Sequence, residues 1–176
     1  MIIGLSGRCC SGKTTFLEHF RLEHPEYGYV SECVRELLRN MRTDLRTIRE
    51  DPKTYWKFQK LVLDRYVKDV DRAYQYSDVV ITDRTLYDIL IYSKLYLPQS
   101  IQDKFGICIR VLSDYLPDRL IYFEPLDYWD DGVRSDDKLE EELKLFEEIV
   151  KPKANLVVDL RRDTYADIRN NVLKIL

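Results

Sequence analysis

Cysteine, glycine and proline are sparse in this chain: four, six and six among 176 residues. The cysteines (Cys9, Cys10, Cys33 and Cys108) show no CxxC spacing, and only His19 and His24 could join them around a metal. Neither a disulfide framework nor a zinc module is indicated, and the four read as reduced thiols of a cytoplasmic protein. So little glycine and proline excludes collagen-like and low-complexity architectures. With 45% hydrophobic against 34% charged residues, a disordered chain is excluded as well. No apolar run approaches the roughly 20 residues that span a bilayer, and Met1 leads straight into Ile2 and Ile3 without a basic leader, so no membrane partner is expected. Nor is there an excess of positive charge. Against 31 Asp and Glu stand 28 Lys and Arg, a net charge of −3. The whole surface is therefore no nucleic-acid footprint, although a local basic groove stays open.

What is present is an alternation. Short runs rich in Val, Ile and Tyr over 1–5, 27–30, 79–82, 120–123 and 156–160 read as buried strands. Helices are expected over 13–22, 32–41, 53–76, 87–95, 139–150 and 165–176, with another over 107–115 bracketed by Gly106 and Pro117. Strands alternating with helices mean an α/β fold with a mostly parallel sheet. On the long helix, Tyr55, Phe58, Leu61, Val62, Tyr66, Val70 and Ala73 fall close to one face. No repeat or linker divides the chain, so 1–176 is expected to be a single domain large enough to bury a full core.

Between the first strand and the first helix, Gly7-Arg8-Cys9-Cys10-Ser11-Gly12-Lys13-Thr14 satisfies GxxxxGK(S/T), and the strand-to-helix placement is the context that gives the pattern meaning. Glycines let the backbone curl so that its N–H groups face phosphate oxygens, and the helix N-terminus adds favourable partial charge. Residues Gly7 to Thr15 are thus the expected ATP-binding loop, with Lys13 reaching the β and γ phosphates and Thr14 ligating Mg²⁺. Cys9 and Cys10 are expected to be small packing residues rather than redox sensors. No NKxD or LSGGQ stretch follows, which removes support for a GTPase or a transporter ATPase.

The run ending in Asp83-Arg84 places a carboxylate where an α/β sheet presents groups at its carboxyl edge. Asp83 could hold Mg²⁺ or position substrate, and it could equally cap the next helix. Arg84 would lie beside phosphate or be only a surface charge. After the second strand, Ser31 is a plausible helix cap, and Glu32 and Arg35 would share one helical face toward the cleft. Glu32 could then orient and deprotonate an attacking hydroxyl, or simply pair with Arg35.

The loop from Gly7 to Thr14, the Glu32-x-x-Arg35 pair, Phe58-Gln59, Asp83-Arg84 and Asp130-Asp131-Gly132-Val133-Arg134-Ser135 together resemble the nicotinamide riboside kinase domain of bifunctional NAD-salvage proteins. More loosely, they resemble deoxynucleoside and thymidylate kinases. The resemblance implies a P-loop fold of five parallel strands with helices on both faces, and transfer of the ATP γ-phosphoryl group to a nucleoside 5′-hydroxyl. It also implies that Glu32 contacts that hydroxyl, that Gln59 reads the base, that one or two of Tyr55, Trp56 and Phe58 stack on it, and that Arg134 belongs to a lid over about 127–138. A homodimer is expected only by analogy with such kinases.

Two other readings stay open. The arginines Arg35, Arg39, Arg42, Arg46 and Arg49 suit a nucleic-acid acceptor, since phosphate contacts come from such side chains. The same arginine-rich stretch could instead dock a protein partner of a nucleotide-driven switch.

Overall fold

The computed structural model describes residues 1–126 and 138–176. Five strands, β1 (Ile2–Ser6), β2 (Gly28–Val30), β3 (Val80–Asp83), β4 (Arg119–Phe123) and β5 (Leu156–Val158), form one sheet in the order β2-β3-β1-β4-β5 with every pairing parallel. Among the described residues the helices are α1 (Lys13–Glu23), α2 (Val34–Met41), α3 (Leu45–Arg49), α4 (Pro52–Tyr74), α5 (Leu86–Tyr96), α6 (Gln99–Val111), α7 (Leu139–Ile149) and α8 (Tyr165–Ile175).

The period-two alternation of the strands builds both apolar layers. Ile3, Leu5, Ile81, Ile121 and Phe123 join Phe16, Phe20, Ile168 and Val172 of α1 and α8. Their neighbours Ile2, Val30 and Val80 join Tyr55, Phe58, Val70, Leu86 and Ile89 of α4 and α5, while Leu120 and Tyr122 pack with Phe146 of α7. A parallel strand buried under helices on both faces reads as an unbroken apolar run, which is why β1 has no exposed residue. Each fully buried aliphatic side chain here contributes on the order of 1.5–3 kcal/mol. With β1 between β3 and β4, a crevice opens at their carboxyl ends, where a sheet of this kind takes its ligands.

Three helices differ from the sequence reading, each for a local reason. Helix α2 begins at Val34, with Cys33 rather than Ser31 at the N-cap position, so Glu32 precedes the helix and does not share a helical face with Arg35. Helix α3, unforeseen, is only five residues long and starts where Asp44 accepts a hydrogen bond from the Thr47 N–H at 2.8 Å. Helix α6 follows Pro98 and runs through Gly106, where a boundary had been expected, and residues 113–115 form only a 3-10 turn. Among the described residues, a Cβ at Gly106 would meet nothing within 4 Å. Gly106→Ala is therefore expected to stabilise the protein by about 0.5–1 kcal/mol, read as a higher midpoint in denaturant unfolding. On α4, Leu61 is 45% exposed and lies off the buried face to which its spacing assigned it.

Candidate active site

The loop after β1 takes the conformation its glycines allow. Gly7 has φ +140° and a Cβ there would stand 2.5 Å from the Phe123 carbonyl oxygen, while Gly12 has φ +81° immediately before α1 and a Cβ there would collide with Leu160. Neither conformation suits an L side chain. Lys13 opens α1 but folds back, its Nζ donating to the Arg8 carbonyl and to Ser11 Oγ, each at 2.7 Å. The ammonium is thus held inside the loop by neutral oxygens, which phosphate oxygens can displace. Cys9 is buried in the core, whereas Cys10, at φ +58°, lines the cavity outside the loop together with Thr15.

At the carboxyl end of β3 the carboxylate of Asp83, 2% exposed, accepts the Thr14 hydroxyl proton at 2.5 Å through Oδ2. Its Oδ1 is buried with no hydrogen-bond partner among the described residues. An unmatched buried carboxylate oxygen beside a threonine hydroxyl fits a hard, oxygen-seeking cation such as Mg²⁺. No group of three His, Cys, Asp or Glu capable of caging a metal occurs among the described residues. Mg²⁺ is characteristically bound by one or two carboxylates and the substrate's phosphates. Asp83 does not cap the next helix: Thr85 does, in a capping box with Asp88.

Arg84 has its backbone at φ +89°, a costly conformation for a non-glycine residue. Its N–H donates to the Leu5 carbonyl at 3.0 Å, and its guanidinium donates to the Gly7 carbonyl at 2.7 Å and to Asp88 Oδ1 at 3.1 Å. Asp88, 1% exposed, also accepts through Oδ2 from Ser6 Oγ at 2.7 Å and from the Thr85 hydroxyl and N–H at 2.8 and 3.0 Å. One buried carboxylate therefore joins the end of β1, the phosphate loop's anchor and the start of α5. The sequence reading passed over Asp88, although Thr85-x-x-Asp88 carries capping-box spacing.

Two cavities meet at this point. The first, about 570 Å³, is walled by the phosphate loop from Cys10 to Thr15 and by Arg35 and Arg39 of α2. The second is a narrow apolar cleft of about 70 Å³ between α4, α5 and the β2–α2 segment, lined by Tyr55, Phe58, Gln59, Val62, Tyr66 and Tyr92 with Arg49 at one side. An aromatic ring entering it has to spread its walls. Glu32, Asp83 and Arg84 line both cavities. Of the foreseen aromatics, Tyr55 and Phe58 reach the cleft, and Trp56 does not. Gln59, 5% exposed, donates through Nε2 to the Tyr55 hydroxyl at 2.6 Å, and that hydroxyl donates on to the Tyr92 carbonyl at 3.3 Å. Asp88 and Tyr92 are lining residues the sequence reading did not single out, and Arg49, foreseen only as part of the arginine-rich stretch, lines the cleft as well. Arg134 and all but the last residue of the foreseen lid, about 127–138, lie outside the described residues.

Cys33 lines the cleft too. Burial, assisted by the negative charge of Glu32, pushes its thiol up to about 12. Only a thiolate alkylates readily, so at about pH 8 the folded protein is expected to leave Cys33 unmodified by iodoacetamide. Peptide mapping checks this, and labelling of Cys33 should appear only on unfolding.

A protein-family model described as AAA domain matches residues 2–167. Among curated proteins none matches the sequence. Among solved structures, the chain superposes on the NadR protein in complex with NR with a TM-score of 0.76 at 19% identity, covering 98% of this chain and 50% of that one. The chain thus spans about half the length of NadR. Deoxyadenosine kinase from M. mycoides with bound dATP gives 0.72 at 22% identity, with 99% of each chain covered. Thymidylate kinase from Candida albicans gives 0.64 at 15% identity, covering 99% of this chain and 89% of that one. These neighbours are the group the sequence resembles, and they share its fold: five parallel strands with helices on both faces.

Proposed function

We propose that this chain, which belongs to the AAA domain family, transfers the γ-phosphoryl group of ATP, with Mg²⁺, to a hydroxyl of a nucleoside or nucleotide. The observation that carries this reading is the junction at Glu32, Asp83 and Arg84, where a cavity walled by a phosphate loop opens onto an aromatic-lined cleft. A donor's phosphates in the first and an acceptor's base in the second would bring the two reacting groups together at that junction. Phosphoryl transfer asks a protein chiefly for such positioning and for positive charge.

In this mechanism the loop N–H groups and Lys13 bind the phosphates, and Arg84 holds the loop in shape through the Gly7 carbonyl. Thr14 and Asp83 would hold Mg²⁺, which when bound offsets phosphate charge. Glu32 accepts the proton of the attacking hydroxyl. The acceptor oxygen bonds to the γ-phosphorus as the bond to the β,γ-bridging oxygen breaks, and ADP leaves with that electron pair. Tyr55 and Phe58 present ring surface to the base, and Gln59 supplies an amide able to pair with its edge. Gln59→Ala is expected to raise the acceptor's KM about tenfold or more while leaving the KM for ATP unchanged. Steady-state kinetics with each substrate varied in turn checks this, and an unchanged acceptor KM would remove Gln59 from base recognition.

A further inference from the structure

A row of exposed arginines runs along one side of the crevice, and free-nucleoside chemistry makes no use of its outer members. Arg35 and Arg39 stand on α2 in the wall of the phosphate cavity, and Arg42 caps the end of that helix. Positions i, i+4 and i+7 share one helical face, so these three line up over roughly 10 Å at 1.5 Å per residue. Arg46 follows on α3. Arg49, three residues on, turns inward to the aromatic cleft, with its guanidinium 3.6 Å from the centroid of the Tyr96 ring. The row begins at the cavity for phosphates and ends at the cleft for the base.

The acids nearest this row are mostly engaged elsewhere. Glu36 binds Arg65 through both oxygens at 3.2 Å, Asp44 caps α3, and Asp51 caps α4; Glu50 alone is exposed on that stretch without such a role. Arg39, Arg42 and Arg46 enter no ion pair among the described residues. Such a concentration of positive charge, on a chain whose net charge is −3, is complementary to a polyanion.

We infer that the row is a track for the sugar–phosphate backbone of a single-stranded polynucleotide, and that the acceptor hydroxyl sits on a nucleotide within such a strand. The inference rests on the phosphotransferase reading given above. Arginines at i and i+4 stand about 6 Å apart along the helix, a spacing at which successive side chains can reach successive phosphates of an unstacked strand. A base has to leave its stack to enter the cleft, which costs least in an unpaired strand. The chemistry is unchanged: the strand's hydroxyl oxygen bonds to the γ-phosphorus, ADP leaves, and the proton passes to Glu32.

The test uses the full chain and its double variant Arg42→Ala/Arg46→Ala, whose substituted residues line neither cavity. Fluorescence anisotropy with labelled single-stranded DNA of about 20 nucleotides, titrated across salt concentrations, measures the track directly. Binding should weaken with salt, and losing two phosphate contacts should lower the slope of log affinity against log salt by about 1.4. In parallel, label from γ-labelled ATP should pass to the oligonucleotide with a KM about tenfold higher in the variant, while kinetics with free nucleosides stay unchanged. Equal salt slopes and equal KM values in the two proteins would overturn the track. Label on free nucleosides but never on the strand would overturn the polymeric acceptor and leave the phosphotransferase reading intact. If no acceptor takes label, that reading falls, and the anisotropy slopes still decide the track.

Discussion

Replacing Lys13 by alanine is expected to lower phosphoryl transfer about a hundred- to a thousandfold, the loss typical when one preorganised donor is taken from a developing anion. The structure explains why so large an effect should come without collapse of the fold. The ammonium donates to the Arg8 carbonyl and to Ser11 Oγ, each at 2.7 Å, acceptors that lie within the loop itself and not in the sheet. Phosphate oxygens would replace these neutral acceptors with charged ones, so the lysine matters most once ATP is bound and more again as charge shifts to the leaving oxygen. Kinetics and an unfolding curve on the same preparation separate the two effects. A variant with near-normal turnover would remove Lys13 from the chemistry.

Asp88→Ala is expected to have the largest effect on stability, about 3–5 kcal/mol, because it leaves the partly buried Arg84 guanidinium without its carboxylate partner. Ser6 Oγ and the Thr85 N–H and hydroxyl lose their acceptor at the same time. For a chain of this length, a loss of that size lowers the melting temperature by on the order of 10 °C. Asp88→Asn keeps the shape and an acceptor oxygen, so it should fall between alanine and the wild type. Arg84 also holds the Gly7 carbonyl, so ATP affinity should decline along the same series. A melting temperature unchanged in Asp88→Ala would mean that the network contributes little.

Much of this was legible in the sequence because it depended on short-range signals. The five strands stood out as β-branched runs, since parallel strands buried on both faces need apolar residues throughout. The phosphate loop was legible because its chemistry fixes both spacing and glycines, and Gly7 and Gly12 stand at positive φ. Helix α3 was missed because five residues hold barely one turn of periodicity, although Asp44 and Thr47 carried its capping signal. Gly106 was misread as a break because a glycine's cost in a helix is small enough for neighbouring residues to override. Glu32 was assigned to a helix that begins two residues later, and its place at the junction of the two cavities depends on β2 and β3 being neighbours. The hub at Asp88 was only partly legible: Arg84 and Thr85 are its neighbours in sequence, but Ser6 ends β1, and only the β1–β3 pairing brings it to the same carboxylate.

The central claim, that this site passes phosphate to a nucleoside-like hydroxyl, is tested most directly by incubating the protein with γ-labelled ATP, Mg²⁺ and a panel of nucleosides, nucleoside monophosphates and single-stranded oligonucleotide, with Lys13→Ala as the blank. The account predicts label on a member of that panel, at a rate the blank does not approach. Slow release of labelled phosphate to water, indifferent to every acceptor and accelerated by a protein partner, would contradict it and identify a nucleotide-driven switch instead.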